Sequence, residues 1–363
     1  PGVALLTAGP GHANGLSALY VAREAESPLL LLSGACPAAT ADRGGFQAMP
    51  QEALAAAVSK AATTLKGADE VVSKLDWAWQ TASESRPGPV ALSLPGDLLE
   101  GPSQLPESVV SPPGISSSPI GPEPQLLTDQ ARGQIQQQLA SAARPLVLAG
   151  PAFCRGAAAA ALRRFEAATG IPSIATESPR GINDPHLGCF AEVLASADCV
   201  LLLGKKLDWS LKFGRPPAFS PDCRFSQIDA DAAILEQANA DRRAACTTVG
   251  YQLDPLSAVA PLAAWPDSLP LNMEAGWPAQ VAELLAWRPA DWDLESAPRR
   301  TSPDNPRRIH PLDVCLALRP WLRDSDIFVS DGGEFGQWAQ AVLHAPRRVI
   351  NGPSGSIGGA IPF

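Results

Sequence analysis

Residues 1–20 read PGVALLTAGPGHANGLSALY, and this stretch decides the fold class. The apolar run Val3–Leu6 predicts a buried strand, and the Gly9-Pro10-Gly11 turn follows it. The spacing of apolar residues after the turn predicts a helix from Asn14 to Glu26. A strand, a glycine-bearing turn and a helix in this order are typical of a parallel α/β sheet, whose ligands bind at the carboxyl ends of the strands.

The same alternation continues along the chain. Fully apolar runs at 28–34 and 90–94, bounded by proline and glycine, predict strands that are buried on both faces. Later strands are predicted at 145–149, 171–175, 199–203, 225–229, 326–330 and 349–350. We therefore predict an α/β protein with parallel sheets flanked by helices, in which the first and last domains are incomplete.

Composition shifts divide the chain into segments. Residues 101–124 hold seven prolines and six serines, which is typical of a linker. The predicted division is a partial first domain at 1–100, that linker, a central domain at 125–262, a second linker at 263–306 and the start of a third domain at 307–363.

Composition also excludes several function classes. The chain has 363 residues, 45% of them apolar and 18% charged, and a net charge of −9, which argues against nonspecific binding to nucleic acids or anionic membranes. The sequence shows neither a transmembrane run nor a signal core. The seven cysteines include no C-x-x-C pair, so we expect reduced thiols and a cytoplasmic location rather than a zinc site or disulfides.

Two candidate sites lie in the first segment. In the turn Gly9–Asn14, glycine permits close backbone approach, and Asn14 can either cap the helix or offer its amide to a ligand. In the loop Arg43–Glu52, Gln47 can donate and accept hydrogen bonds at a polar substrate. An ordinary capped turn and a plain surface loop are the alternatives.

A third candidate lies in the central segment. Gly204, Lys205 and Lys206 follow a predicted strand and can meet a phosphate, while Asp229 ends the next strand and can accept from ribose hydroxyls. The sequence has no G-x-G-x-x-G fingerprint. Solvated lysines and a helix cap are the alternative interpretation.

A fourth candidate consists of two glycine-rich strand ends near the end of the chain, Asp331–Trp338 and Gly352–Gly359, which suit a cofactor held by backbone groups. Metalloprotease, serine-hydrolase and Walker A motifs do not occur in the sequence. The four histidines are scattered along it, and His310 and His344 are expected to be surface or capping residues.

Taken in order, these motifs resemble the thiamin-diphosphate-dependent acetolactate synthase, benzaldehyde lyase and 2-hydroxyacyl-CoA lyase group. PGVALLTAGPGHANGLSALY and RPGPVALSLPGDLLE are similar to its pyrimidine-binding (PYR) domain. PLVLAGPAF, ADCVLLLGKKLDW and FSQIDAD are similar to its nucleotide-binding-like central domain. IFVSDGGEFGQWAQA and NGPSGSIGGAIP are similar to the start of its diphosphate-binding (PP) domain.

The resemblance implies a thiamin-diphosphate-dependent transferase or lyase that decarboxylates a 2-keto acid and ligates carbon, acting on 2-keto acids or aldehydes. It implies a substrate-facing catalytic role for Gln47. The cofactor-binding residues that it implies are Thr7, Pro10, Asn14, Gly333, Glu334, Gly355 and Ile357. Gly204, Lys206 and Asp229 would bind a nucleotide, with FAD and ADP as the candidates.

The resemblance also implies parts that this sequence does not hold. The glutamate that activates the cofactor and the ligands of Mg²⁺ would lie outside residues 1–363, so we expect the chain alone to be inactive and the intact protein to be a homodimer or homotetramer. Two alternatives stay open. KLDWSLKFGRPP resembles the acyl-CoA branch, that is, 2-hydroxyacyl-CoA lyase or oxalyl-CoA decarboxylase. The other alternative is a catalytically inactive nucleotide-binding homologue.

Overall fold

A computed structural model describes residues 1–100, 126–240, 248–292, 301–302, 305–345 and 347–355. The chain forms two compact units, Pro1–Gln125 and Leu126–Phe363. The second unit holds both the predicted central domain and the start of the third. Each unit is described by itself below.

The first unit is built on a four-stranded parallel sheet with strand order β1-β2-β4-β3. Its strands are β1 (Gly2–Leu6), β2 (Leu29–Ala35), β3 (Ala61–Thr64) and β4 (Pro89–Pro95). Its helices are α1 (Pro10–Glu24), α2 (Ala38–Ala41), α3 (Gln51–Ala56), α4 (Val71–Ser83) and α5 (Gly96–Glu100).

Burial follows strand position in this sheet. The central strands β2 and β4 carry side chains that are almost fully buried on both faces, such as Leu30, Leu31 and Leu92, which explains their continuous apolar sequence. Strand β1 lies at the edge, and Val3 and Leu5 on it are 56% and 75% exposed. The core of the first unit is therefore centred on β2 and β4.

The second unit is built on a five-stranded parallel sheet with strand order β6-β5-β7-β8-β9. Its strands are β5 (Pro145–Ala149), β6 (Ser173–Ala175), β7 (Cys199–Leu203), β8 (Arg224–Asp229) and β9 (Thr248–Gln252). The helices around them are α6 (Asp129–Ala140), α7 (Gly156–Thr169), α8 (Phe190–Ser196), α9 (Ala232–Ala240), α10 (Pro255–Ala263) and α11 (Trp277–Ala286).

Both faces of this sheet are covered by helices. Alternate residues of β5 enter different cores: Leu146 and Leu148 pack on one face, and Val147 and Ala149 pack on the other. The result is a parallel sheet between two helical layers, with its strand ends left for the loops.

The rest of the second unit contains two small sheets. Strands β10 (Thr301–Ser302) and β11 (Asn305–Ile309) pair antiparallel, and β12 (Ile327–Val329) and β13 (Arg347–Val349) pair parallel. Helices α12 (Pro311–Leu318) and α13 (Gly333–Val342) share a core with Phe328 of β12.

The predicted fold class, parallel sheets flanked by helices, is confirmed. The predicted start of the first helix at Asn14 is wrong, because Gly9 adopts a φ of +60° and lets the helix begin at Pro10, the position that favours proline. Strands β3 and β9 were missed. β3 is a short, half-buried edge strand of Ala and Thr, and β9 is a short edge strand interrupted by glycine, so neither has an apolar run.

Part of the predicted connection at 263–306 is helical. Trp277 opens α11 and is 1% exposed, and its indole N–H donates to the Pro145 carbonyl at 2.8 Å. This helix is therefore anchored to the five-stranded sheet. Among the described residues, no helix has the length and apolar character needed to cross a bilayer.

Candidate functional site

The turn after β1 places three of the predicted cofactor residues on the surface of the first unit. Thr7, Pro10 and Asn14 are all exposed, at the carboxyl end of the strand and the start of α1. Asn14 is the fifth residue of α1, and the cap position is held by Gly9, so the capping role considered for Asn14 is wrong. Its amide is instead presented from the first turns of the helix.

Gln47 lies against this turn. Its backbone has a φ of +61°, and a Cβ on Gly9 would stand 2.9 Å from the Gln47 Cβ and 3.2 Å from its carbonyl oxygen. Only glycine at position 9 permits this approach together with the positive φ. The structure thus brings the predicted substrate-facing residue and the predicted cofactor turn into direct contact.

Beneath the turn lies a buried polar network that sequence analysis missed. The Gly9 N–H donates to Gln51 Oε1 at 2.8 Å. Gln51 Nε2 donates to the Gly34 carbonyl at 3.0 Å and to Ser93 Oγ at 3.2 Å. Gln51 is 4% exposed and Ser93 is 2% exposed. One carboxamide therefore joins the chain segments that follow β1 and α2 to the carboxyl ends of β2 and β4.

His12 extends the buried polar layer. It is fully buried in α1, and its Nδ1 lies 2.9 Å from Ser33 Oγ on β2. Burial lowers the pKa of His12, so the ring is neutral at pH 7. The signal available in the sequence was a set of polar residues inside or beside apolar runs, Ser33 and Ser93, at matched positions of neighbouring strands.

The central candidate residues meet at neighbouring strand ends of the second unit. Gly204 follows β7 with a φ of +60°, and its N–H donates to the Ile228 carbonyl of β8 at 2.9 Å. Asp229 ends β8 and is fully buried, and its Oδ1 accepts from the Asp231 N–H at 3.0 Å. Lys206 is half-buried just after Gly204. The predicted proximity of these residues follows from the pairing of β7 with β8.

Lys205, in contrast, is not a solvated lysine. It is 9% exposed, and its Nζ donates to Ser210 Oγ at 2.8 Å. Ser210 Oγ in turn donates to Asp208 Oδ1 at 2.6 Å, and Asp208 caps the short helix that follows. The buried lysine thus holds the 205–210 loop and is less available to a ligand phosphate than the sequence alone indicates.

The next loop forms an open cleft. Lys212 and Phe213 adopt left-handed φ values of 52° and 56°, and the Arg215 guanidinium lies 5.5 Å from the centre of the Phe213 ring. These three residues and Asn183 line a cavity of about 490 Å³. Two cationic side chains and a half-exposed aromatic ring are features that suit a phosphate attached to a planar base.

The third glycine-rich region is at the paired strands β12 and β13. Gly333 begins α13 with a φ of +86°, and Glu334 is exposed in its first turn. Gly355, with a φ of +70°, follows β13, and a Cβ there would stand 3.8 Å from Pro179. Because β12 and β13 are parallel neighbours, these two turns leave the same edge of their sheet. Ile357 lies outside the described residues.

Two histidines that are distant in sequence meet in the second unit. The rings of His186 and His344 have centroids 4.9 Å apart, beside a cavity of about 1000 Å³ that Arg288 and Arg319 also line. Burial, together with Arg348, lowers the pKa of His186 to about 3. His344 is exposed, which confirms it as a surface residue, and His310 accepts from the Leu312 N–H, which confirms it as a cap.

Arg288 ties this region together. Its Nε donates to the Ala341 carbonyl of α13 at 2.9 Å, and its Nη2 donates to the His186 carbonyl at 2.7 Å. Its remaining bonds go to the carbonyls at the end of α11. The guanidinium is thus committed to backbone oxygens. The part of the chain that the structure describes contains no group of three or more His, Cys, Asp or Glu residues that could hold a metal ion.

Two family models match the chain. Residues 1–55 match the thiamine pyrophosphate enzyme N-terminal TPP binding domain, and residues 133–254 match the thiamine pyrophosphate enzyme central domain. The first range contains the turn at 9–14, Gln47 and Gln51, and the second contains Gly204, Lys206 and Asp229.

Similar proteins carry related names. The chain is 31% identical to 2-hydroxyacyl-CoA lyase 1 of Dictyostelium discoideum over 64% of its own length and 40% of that protein. It is 28% identical to the acetolactate synthase large subunit of Mycobacterium tuberculosis over 99% of its length and 62% of that protein. It is 29% identical to oxalyl-CoA decarboxylase of Escherichia coli over 65% of its length and 42% of that protein.

The chain therefore spans between 40% and 62% of the length of these relatives. The turn at 9–14 and the strand ends at Gly204 and Asp229 lie inside the matched ranges, whereas the turns at Gly333 and Gly355 lie outside them. Residues 1–55 and 133–254 are thus similar to the N-terminal TPP binding domain and to the central domain of thiamine pyrophosphate enzymes.

Proposed function

We propose that the protein is a thiamin-diphosphate-dependent carbon–carbon lyase and ligase of the acetolactate synthase type, acting on a 2-keto acid or aldehyde. The observation that carries the proposal is the contact of Gly9 with Gln47 at the carboxyl end of β1. It sets an uncharged side chain with donor and acceptor groups beside an exposed turn inside the range that matches the TPP binding domain.

The residues of the turn fit the pyrimidine end of the cofactor. Thr7, Pro10 and Asn14 present a small hydroxyl, an apolar ring and an amide from a turn whose backbone is already fixed by Gln51. When bound, thiamin diphosphate supplies the carbanion-stabilising chemistry. The protein's own residues bind and orient it. In this proposal Gln47 donates or accepts one hydrogen bond at the substrate's polar atoms.

In the proposed oligomer, the turns near the end of the chain would hold the same cofactor molecule as the 9–14 turn of a neighbouring subunit. We propose that Gly333 and Glu334 face the diphosphate or thiazolium side, and that Gly355 offers a backbone carbonyl to the pyrimidine amine. Their exit from one edge of the β12–β13 sheet supports this assignment. The proposal includes Ile357 as the apolar support of the cofactor, Mg²⁺ held by ligands outside the chain, a homodimer or homotetramer, and a cytoplasmic location.

Turnover of pyruvate tests this proposal. The full-length protein, meaning this chain with whatever sequence flanks it in its gene, is incubated with pyruvate, thiamin diphosphate and Mg²⁺. We expect acetolactate to form, and we expect the 363-residue chain alone to form none. Absence of acetolactate from the full-length protein would overturn the acetolactate synthase assignment.

A second candidate is the acyl-CoA branch, which the cleft at Lys212, Phe213 and Arg215 favours. In this interpretation the central domain binds an adenine nucleotide, FAD, ADP or the nucleotide end of CoA, with Gly204, Lys206 and Asp229 at the strand ends. CoA should raise the unfolding temperature of the full-length protein, and pyruvate should not be turned over. Stabilisation by ADP or FAD without any lyase activity would instead favour an inactive nucleotide-binding homologue.

A further inference from the structure

We propose that Gln51 is a positioning residue, whose buried carboxamide fixes the 9–14 turn to the ends of β2 and β4 and against the Gln47 loop. The turn and the loop would then act as one preformed surface. The inference rests on the proposed function in one respect only, which is that this surface receives the cofactor and the substrate.

The first step of the argument is the number of bonds that one side chain makes. Gln51 accepts from Gly9 N–H and donates to the Gly34 carbonyl and to Ser93 Oγ, at 2.8, 3.0 and 3.2 Å. These partners follow β1, lie on β2 and lie on β4, respectively. A single buried group therefore joins Gly9, which lies beyond the last β1–β2 pair at Leu6 and Ser33, to the paired carboxyl ends of β2 and β4.

The second step concerns what the bond to Gly9 controls. Gly9 is the residue that turns the chain from β1 into α1, at a φ of +60°. Its N–H would otherwise be an unsatisfied buried donor at a helix N-terminus, which is destabilising. With Gln51 in place, Gly9 is held so close to Gln47 that a Cβ added to Gly9 would stand 2.9 Å from the Gln47 Cβ. The orientation of the turn and the position of Gln47 are thus set together.

The third step is that the carboxamide is the required chemical group. A glutamate at position 51 could still accept from Gly9 N–H, but its ionised oxygens would face the Gly34 carbonyl, to which they cannot donate. Burial would raise the pKa of such a carboxyl, and the protonated acid would restore one donor. In Gln51→Glu, the side chain is therefore expected to stop fixing the turn at high pH and to fix it again on acidification. The apolar side chain of Gln51→Leu cannot fix the turn at any pH.

Two measurements test the inference. In the 363-residue chain, NMR hydrogen exchange of the Gly9 amide should accelerate at least tenfold in Gln51→Leu and, at pH 8, in Gln51→Glu. In the full-length protein, calorimetry should show the Kd for thiamin diphosphate at least tenfold higher for Gln51→Leu at every pH. For Gln51→Glu the Kd should be raised at pH 8 and should return towards the wild-type value near pH 5.5.

Gln136 provides the matched control. It is also a buried glutamine, 3% exposed, and its Nε2 donates to the carbonyls of Leu262 and Ala264 at 3.1 and 3.2 Å, far from the turn in sequence and in the other unit. Gln136→Glu should lower stability with a similar pH dependence, yet leave Gly9 exchange and cofactor affinity unchanged. If Gln51→Leu does not fold, Ser93→Ala removes one acceptor and should raise the Kd by two- to fivefold.

The outcomes separate the two claims. If the wild-type full-length protein does not bind thiamin diphosphate, the proposed function fails, and Gly9 exchange alone then decides the positioning role. If the wild type binds but Gln51→Leu binds equally well, the inference is overturned while the function stands. Equal pH dependence of the cofactor Kd in Gln51→Glu and Gln136→Glu would also overturn it, because a general stability effect would then explain the result.

Discussion

The polar site of the first unit is neutral, whereas that of the second unit is charged. Beneath the 9–14 turn, Gln51, Ser33 and Ser93 are buried without a formal charge, and burial keeps His12 neutral. At the ends of β7 and β8, the buried groups are Lys205 and Asp229. A neutral, hydrogen-bonded layer is suited to hold a turn in one shape, whereas buried charges are sensitive to what approaches them.

The same contrast appears in how closely each turn is packed. A Cβ on Gly9 would stand 2.9 Å from the Gln47 Cβ and 3.2 Å from its carbonyl oxygen, whereas a Cβ on Gly181 would stand 2.2 Å from the Ser210 carbonyl oxygen and 2.5 Å from its Cα. The overlap is therefore larger at Gly181, where the three nearest atoms all belong to the Ser210 backbone. Gly181, which packs on the residue that accepts from Lys205, should therefore tolerate an added side chain less well than Gly9.

The largest effect is expected for Gly181→Ala. The positive φ and the overlap with Ser210 together should lower the free energy of unfolding of the second unit by about 4 kcal/mol or more. Gly156→Ala is the control, because its φ of +58° is similar but nothing lies within 4 Å of its Cβ position, and it should cost about 1–2 kcal/mol. Urea unfolding followed by circular dichroism measures both. Equal costs for Gly181→Ala and Gly156→Ala would mean that the overlap with Ser210 adds nothing to the cost of the positive φ.

Gly9→Ala should be the next largest. The overlap with Gln47 and the φ of +60° should cost about 2–4 kcal/mol in the first unit. Gly44→Ala, at a φ of +70° in open space, should cost about 1–2 kcal/mol. The same urea experiment measures these costs. If Gly9→Ala lowers the free energy of unfolding more than Gly181→Ala does, the prediction that Gly181 is the less tolerant position is wrong.

Acid should weaken the second unit through His186. Its pKa is lowered from 6.5 to about 3 in the folded protein, so the unfolded chain binds a proton first as the pH falls. The stability that neutral His186 contributes is complete above pH 6.5 and is lost progressively between pH 6.5 and 3. Relative to His186→Gln, the wild type should lose about 2–3 kcal/mol between pH 7 and pH 4.

The comparison with the variant is needed because other groups titrate nearby. His344, Arg288 and Arg348 face His186, and burial raises the pKa of Glu177 and of Asp184, which shifts stability in the opposite sense. These groups are present in both proteins, so their effects largely cancel. Parallel pH profiles for the wild type and His186→Gln would show that His186 is not the titrating group.

The smallest change in stability is expected for two tryptophan substitutions in the second unit, one in its core and one on its surface. Trp277→Phe removes the indole donor of the Pro145 carbonyl and should cost about 1–2 kcal/mol. Trp287→Phe changes a side chain that is 52% exposed and should cost less than about 0.5 kcal/mol. Thermal unfolding of the two variants side by side checks this, and equal costs would show that α11 is not anchored through Trp277.

The sequence was sufficient where one strong local signal acted alone. The apolar runs 145–149 and 199–203 predicted β5 and β7 with the observed bounds, because strands buried on both faces need continuous apolar sequence. The glycines at strand ends also marked the turns. Strand β3 was missed because a half-buried edge strand of Ala and Thr has no such run.

The buried polar partners could not be predicted, because they depend on tertiary distance. Gln51 is 42 residues from Gly9 and from Ser93, and nothing in the local sequence distinguishes it from an exposed glutamine. His186 and His344 meet only because α13 packs near the 185–187 turn. The burial of Lys205 could not be predicted either, because its bond to Ser210 depends on a loop conformation that the sequence does not show.

Strand β1 has a practical consequence for work with the protein. It is an edge strand of the four-stranded sheet, and the side chains of Val3 and Leu5 on it are exposed. Edges of this kind template the addition of strands from other molecules. Purified samples should therefore be limited by self-association at high concentration before they are limited by heat, and a lysine in place of Leu5 is the simplest change to extend their storage life.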